Sequence, residues 1–455
     1  MACGLLITYT TWLSDCDADE QYRICTMGRG VATFVKTACV LTNGCPENRI
    51  DTAGMQEFLK SKGWSITNKV SDADLVLFNA CGLTVENAES SIRLIKHLKS
   101  QKNGSRFIVC GCLPRINPES IRSVHNDVMF GSDDMNALAA LIDAEESPGC
   151  DLANFLLPSY NIAPGLGWII THVKANLNLY FVLSKLLERK YKEYYDMINI
   201  VSPNTHYIKV STGCVSSCSY CAVKISRGTL RSKPIEKVVA EFKAGLEQGY
   251  KKFALIGTDV GCYGRDQKTN LVQLLDELVA LPGNFEIRIR NFHPRFLIEM
   301  LPDVVKVCRS GKVGFLGLAA QSGNNRILQL MRRGYSIEEY KHAFNALRKE
   351  FPHIKVRTQF IVGFPGETER EFEDTLQLID EVDFDFIELF MFSPCPGTKA
   401  NSLPGALPRA VIQKRYYRIL RKTLQNLSHK YPRPVFTPKP VFEGAKNQGY
   451  FVGKV

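Results

Sequence analysis

Cys214, Cys218 and Cys221 stand at C-x3-C-x2-C within HYIKVSTGCVSSCSYCAVKISRGTLRSKP, residues 206–234. Three thiolates on one short loop can hold three corners of a cubane iron–sulfur cluster. The fourth iron is then open to a substrate or cofactor. Zinc is the competing occupant, but it takes four ligands, commonly in C-x2-C pairs, and no second pair follows. Three inert cysteines are the bland alternative. The loop's polar and glycine neighbours argue against a packed core there. A second set of thiols is dispersed. Cys45, Cys81 and Cys112 each fall just past a short apolar run, in TNGC, FNAC and CGC. Buried packing explains any one of them. All three at equivalent positions point to a shared crevice and a second three-thiolate site. Cys110, two residues before Cys112, faces the other way if its strand continues, and reads as core.

The elements that must position these residues follow two α/β rhythms. From Lys36 the pattern predicts strands at 38–42, 64–70, 74–80 and 106–110, with helices at 46–62 and 86–100. Alternating strands and helices imply a parallel sheet, whose strand carboxyl ends share one edge. From Tyr207 the rhythm resumes, with strands expected at 207–211, 252–257, 285–291, 313–319, 355–363 and 386–392. Helices fill the gaps, for example at 234–248, 270–281 and 336–350. Six such units predict an incomplete barrel, open on one side, with its site at the strands' carboxyl ends. The polar residues fall on that rim: Thr258 and Asp259, Asn291 and His293, Gln321 and Ser322, Gly366 and Glu367, and Ser393.

At these residues the chain resembles the S-adenosylmethionine (SAM) radical enzymes, and specifically their methylthiotransferase branch. The likeness covers roughly residues 36–400. It rests on Lys209-Val-Ser-Thr-Gly-Cys214, on Ser219-Tyr-Cys-Ala-Val with Arg227-Gly and Arg231-Ser, on Ala320-Gln-Ser-Gly323, and on Gly363-Phe-Pro-Gly-Glu-Thr368. The amino-terminal cysteines fit the branch as Gly44-Cys45-Pro-Glu-Asn48, Asn79-Ala-Cys81 with Ala88-Glu89, and Gly111-Cys112. The resemblance implies an α/β fold, with an N-terminal flavodoxin-like parallel-sheet domain followed by an open (β/α)6 partial barrel. It implies two 4Fe–4S clusters, one on each cysteine set, and SAM as cofactor. It also implies cofactor contacts at Tyr220, Arg227, Thr258, Asp259, Gln321, Gly363 and Gly366. Gly363 and Gly366 would let backbone approach a flat ligand closely, a tight turn being the alternative. Arg227 and Arg231 would contact the cofactor carboxylate or the acceptor, with surface salt bridges as the alternative. The reaction implied is replacement of C–H by C–SCH3 at the cost of two SAM molecules. An electron donor such as flavodoxin or ferredoxin would supply the reducing equivalents.

The family's acceptors are modified adenosines in transfer RNA and an aspartate in a ribosomal protein. Residues 222–233 and 257–264 resemble the archaeal and eukaryotic transfer-RNA members most closely. Against them stands the segment after Tyr431, about 24 residues, too short for the usual terminal RNA-binding barrel. That balance favours a protein or peptide side chain, with transfer RNA the runner-up. Another radical modification of a peptide, with the second cluster in a supporting role, is the further alternative.

Composition sets the frame. The chain has 455 residues and a formal charge of +11. It is long enough for two or three cored domains, and basic enough to permit a polyanionic partner without requiring one. Fifteen cysteines without a secretory start favour reduced thiols, metal clusters and a cytoplasmic setting. The most apolar stretch, 161–187, carries His172, Lys174 and Lys185, so no membrane span is expected. The expected organisation is an extension at 1–35, a cluster-bearing domain at 36–150, a connector at 151–204, the barrel at 205–400 and a basic helix with a short tail at 401–455. Cys3, Cys16 and Cys25 read as free thiols in the extension. Charged residues of the connector (179–197) and of a helix at 408–431 read as solvated faces, with docking or phosphate contact as the sharper alternative.

Overall fold

The computed structural model describes residues 23–24, 34–145, 153–160 and 204–430. The connector helix expected at 179–197, the thiols Cys3, Cys16 and Cys25, and the tail beyond 430 lie outside the described residues.

The first domain is a five-stranded parallel sheet. Its strands are β1 (Thr37–Thr42), β2 (Ser65–Ile66), β3 (Leu75–Ala80), β4 (Arg106–Gly111) and β5 (Met129–Phe130), in spatial order β2-β1-β3-β4-β5. That is the flavodoxin-like order, which opens a ligand crevice where the chain switches direction between β1 and β3. Central β3, LVLFNA, is buried at every position, as a parallel strand covered on both faces must be. Helix α1 (Pro46–Ser61) starts with Pro46 in its first turn, where no backbone donor is lost. Helix α2 (Val85–Gln101) is capped by Thr84, whose side chain accepts from Asn87 N. The strand expected at 64–70 shrinks to two paired residues. It is an edge strand, and the polar run after Ile66 gains more from solvent than from an apolar face.

The second domain is a six-stranded all-parallel sheet. It comprises β6 (Thr205–Lys209), β7 (Lys252–Ile256), β8 (Glu286–Phe292), β9 (Val313–Leu318), β10 (Lys355–Val362) and β11 (Phe386–Met391), in sequential spatial order. β6 and β11 do not pair, so the barrel is open, as the pattern predicts. Ile208, Leu255, Ile287, Ile289, Leu316, Phe360 and Val362 point outward into one large apolar core beneath the helices.

The helix expected at 408–431 forms as Arg409–Lys430, with Arg409, Lys414 and Arg421 exposed and other cations turned to this chain's acids. It lies along β11 and the helix Glu369–Glu381, with Ile412 and Ile419 buried. Of those other cations, Arg415 meets Glu367 at 2.7 Å and Glu369 at 3.2 Å, Lys422 meets Asp380 at 2.5 Å, and Arg418 meets Glu369 and Glu373. Internal pairing thus accounts for these charges. Among the described residues, no helix is long and apolar enough to cross a membrane.

Two cysteine sites across one seam

Cys214, Cys218 and Cys221 sit on the loop that leaves β6. Gly213 begins it at φ +76°, and a Cβ there would lie 2.0 Å from the Thr229 carbonyl oxygen, so only glycine fits. Gly213 N donates to Thr258 Oγ1 (3.1 Å), and Ser216 N donates to Cys214 Sγ (3.2 Å). Ser219 Oγ ties the loop to Leu330 O (2.7 Å). Arg333, only 4% exposed, donates to Cys218 Sγ (3.4 Å), Tyr220 Oη (3.3 Å) and Ala319 O (2.8 Å). His293 accepts from Arg295 N through Nδ1 and holds Nε2 3.9 Å from Cys218 Sγ. Cys262 is fully buried against the loop: Cys214 Sγ, Cys262 Sγ and an Asp259 oxygen lie within 4.8 Å of one another. The Cys262 hydrogen bond, with help from Ser216 and Asp259, pulls the Cys214 thiol below its ordinary value. Burial and the Cys214 charge push Asp259 up to about 8.

Cys45, Cys81 and Cys112 do converge. Cys45 caps α1 just past β1, Cys81 follows β3, and Cys112 opens a short helix, α3 (Cys112–Ile116), after β4. The turn into α3 needs Gly111 at φ +115°, because a Cβ would lie 2.5 Å from the Ala80 carbonyl oxygen. Asn43 Oδ1 accepts from Cys81 N (2.9 Å), and Asn48 Oδ1 accepts from Cys112 Sγ (3.3 Å). Cys81 feels Cys45 and Cys112 as neighbouring charges, and burial first, then these, pushes it up to about 12. Cys45 is exposed at the lip. Cys110 is buried in the sheet core beside Met55, as expected.

The two sites face each other across the domain seam. α3 packs against α4 (Val223–Arg227), and Cys112 and Ile116 share a small buried cluster with Ala222, the residue after Cys221. Beneath them runs a buried charge network. Arg227, 1% exposed, donates to Asp51 Oδ2 and Asn48 Oδ1 and stands 3.4 Å from Glu47. Lys209 donates to Asp51 Oδ1 (2.5 Å), and Thr258 Oγ1 donates to Glu47 Oε1 (2.8 Å). The sequence offered Arg227 and Thr258 to the cofactor. In the structure Arg227 is in the seam, and Thr258 links the cysteine loop to Glu47. Asp259 likewise has partners within the chain, accepting from Gly261 N and His293 N. Arg231 is paired with Asp133. Gly363 and Gly366 have φ +79° and +76°, but they face the carboxyl-terminal segment: a Cβ on Gly363 would meet Ile412 at 2.5 Å, and Gly366 N donates to Gly405 O.

Gln321 differs. It holds φ +72°, is 7% exposed, and its Oε1 has no hydrogen-bond partner among the described residues. A strained residue with a buried orphan acceptor on the rim fits a cofactor that brings a donor. Two converging thiol trios fit iron, whose clusters are held by thiolates. Arg333, Glu47 and Asp51 carried no motif signal; their roles exist only in the folded contacts.

An open parallel barrel carrying C-x3-C-x2-C on its first strand-to-helix loop defines a radical SAM protein. Residues 208–379 match the Radical SAM superfamily, and residues 37–131 match the uncharacterized protein family UPF0004. A probable threonylcarbamoyladenosine tRNA methylthiotransferase of Pyrococcus horikoshii is 32% identical over 80% of this chain and 79% of its own. The ribosomal protein uS12 methylthiotransferase RimO of Protochlamydia amoebophila is 28% identical over 83% of this chain and 74% of its own. In fold, the radical SAM methyltransferase TsrM of Kitasatospora setae, solved with cobalamin and a 4Fe–4S cluster, aligns with a TM-score of 0.52. That alignment covers 81% of this chain and 77% of that one at 12% identity. The chain belongs to the radical SAM methylthiotransferase family, whose cofactors are SAM and two 4Fe–4S clusters.

Proposed function

We propose that this enzyme places a methylthio group on a modified adenosine of transfer RNA, with the threonylcarbamoyl nucleoside as acceptor. The facing thiol trios carry the chemistry of the reading: one set on the barrel rim, the other across the seam at Ala222. Identities of 32% to the Pyrococcus enzyme and 32% to the tRNA-2-methylthio-N(6)-dimethylallyladenosine synthase of Nitrosomonas europaea, against 28% to RimO, support transfer RNA as the acceptor class, and the likeness of residues 222–233 and 257–264 to the archaeal and eukaryotic members supports the threonylcarbamoyl nucleoside within it. The earlier preference for a protein side chain rested on the short tail, which lies outside the described residues.

Cys214, Cys218 and Cys221 would hold the cluster that binds SAM, and Cys45, Cys81 and Cys112 the second cluster. When bound, these groups supply hydrogen abstraction from an unactivated carbon and a methylated sulfur to replace the hydrogen. The chain's own residues bind and orient. Gln321 Oε1 accepts from the cofactor, and Tyr220 with Arg333 fixes the loop around Cys218. The Arg227 network holds one thiol set in register with the other. A flavodoxin- or ferredoxin-class donor supplies the electrons.

The test uses anaerobically reconstituted protein, SAM, reductant and an anticodon stem–loop carrying threonylcarbamoyladenosine. Mass spectrometry should show a methylthio group in place of one hydrogen, with two SAM consumed per product. A product without sulfur, or product only on a ribosomal-protein peptide, would overturn the reading.

A further inference from the structure

Four arginines are buried among the described residues, and three of them meet acids. Arg227 is held by Asp51 and Glu47, Arg415 by Glu367 and Glu369, and Arg357 faces Glu388 at 3.5 Å. Arg333 is as deeply buried, yet no carboxylate among the described residues forms an ion pair with it. Its donors go to Cys218 Sγ (3.4 Å), Tyr220 Oη (3.3 Å) and Ala319 O (2.8 Å), and its Nε reaches Tyr335 Oη at 3.5 Å. Asp259 feels the Arg333 charge without pairing with it.

The fold holds this cation in place from two sides. Arg333 lies in the turn after the helix Asn325–Leu330, between Arg332 at φ +58° and Gly334 at φ +69°. A left-handed arginine such as Arg332 persists where its surroundings over-determine it. Ser219, between Cys218 and Cys221, supplies that constraint. Its N donates to Met331 O (3.0 Å) and its Oγ to Leu330 O (2.7 Å), so the turn is tied to the cysteine loop. On the other side the Tyr335 ring lies 5.6 Å from the Arg333 guanidinium carbon, and Tyr335 Oη donates to Ala320 O (2.6 Å). His293 packs edge-on against that ring at 5.9 Å. The next cation along, Arg295, is paired with Glu299. The guanidinium is therefore fixed beside Cys218 and has no acid of its own.

A buried cation without an acid is costly unless negative charge arrives beside it. The loop's thiolates bring that charge, and the net charge and hydrogen bonds at the sulfurs set the potential of a cluster they hold. We propose that Arg333 is the counter-charge of the barrel's cysteine loop, stabilising the added negative charge of the reduced cluster and so raising its potential toward that of the electron donor. In that step one electron leaves the flavodoxin- or ferredoxin-class donor, which is oxidised, and reduces the cluster; no bond breaks. Arg333 is a positioning residue that acts through Cys218. The inference rests on Cys214, Cys218 and Cys221 holding the cluster, and not on the acceptor.

The experiment reads the cluster's midpoint potential by EPR-monitored redox titration without SAM. It is run on the reconstituted holoenzyme and on Cys45/Cys81/Cys112→Ala, in which the barrel's cluster reports alone. Arg333→Gln keeps a donor and removes the charge. It should make reduction about 10- to 100-fold less favourable, each tenfold being about 59 mV for one electron. Arg333→Lys keeps the charge without the fork, and should stay within about threefold of its parent. Lost packing alone would not separate the two variants. An unmoved potential in the glutamine variant overturns the proposal, as does a lysine variant that falls as far as the glutamine one. If the glutamine variant binds no iron while the lysine variant loads at the parent's potential, the charge is required and the proposal stands. If only the glutamine variant loads, its shift alone decides. If neither loads, Arg333 serves to shape the loop and the proposal falls. Weaker SAM binding with an unmoved potential assigns Arg333 to the cofactor instead and also overturns it. A parent that holds no iron on Cys214, Cys218 and Cys221 overturns the cluster assignment, and the proposal with it.

Discussion

The barrel's cysteine loop and the dispersed cysteines of the first domain would hold the same kind of group, but they are built by different means. Cys214, Cys218 and Cys221 are within eight residues of one another, so the spacing alone brings them together. Their surroundings are local to the barrel: Gly213, Cys262, Arg333 and His293. Cys45, Cys81 and Cys112 span 68 positions and meet only because three parallel strands end on one edge. Their nearest buried cation, Arg227, comes from the other domain. The contrast teaches that short-range spacing brings the first set together, whereas the second depends on strand ends meeting and on the seam.

The largest break in that comparison is to remove the dispersed set. Cys45/Cys81/Cys112→Ala should lower iron on reconstitution from about eight to about four per chain. Methylthio product should vanish while SAM cleavage continues, as read by iron assay and product analysis. Next comes the seam. Arg227→Met leaves Glu47 and Asp51 buried with less compensation, and should cost about 3–5 kcal/mol in denaturant unfolding. The counterpart on the barrel side is Arg333→Met. It removes the donor to Cys218, and should lower SAM cleavage or cluster retention by about 10- to 100-fold, while iron on the dispersed set persists.

Acid sharpens the same contrast. Burial alone would raise the Asp51 pKa, but Lys209 and Arg227 outweigh it and hold the carboxyl below its ordinary value. A depressed carboxyl contributes stability that is full above its unfolded pKa and is lost as pH falls through the folded value. Below about pH 4, the Tm of wild type should therefore fall more steeply than that of Asp51→Asn. The smallest effect belongs to the bystander thiol. Cys110→Ala should leave iron content unchanged and cost about 1 kcal/mol, a typical core change.

Much of the candidate site was legible before folding. The C-x3-C-x2-C spacing marked one thiol set, and the strand-end positions of Cys45, Cys81 and Cys112 marked the other, because periodicity locates strand ends well in α/β chains. Gln321 was legible through its motif, although its orphan oxygen was not. Arg333, Cys262 and Asp51 left no local signal, and the motifs that held Lys209 and Arg227 did not show that both would pair with Asp51 across the seam. Each acts through a partner distant in sequence, such as Arg333 on Cys218 or Arg227 on Asp51. The helix Arg409–Lys430 was legible only in part: Arg409, Lys414 and Arg421 are exposed as a solvated face requires, while Arg415, Arg418 and Lys422 meet acids. The charge run gave no sign that Glu367, Glu369, Glu373 and Asp380 would stand beside those three.

By itself the sequence determined the two α/β rhythms, the thiol spacing and the rim positions, since backbone periodicity and short-range geometry depend on neighbours along the chain. The tertiary structure alone decided which charges are buried together and which glycines face packing. Those outcomes depend on desolvation and contact between residues tens to hundreds of positions apart, and local pattern does not encode them.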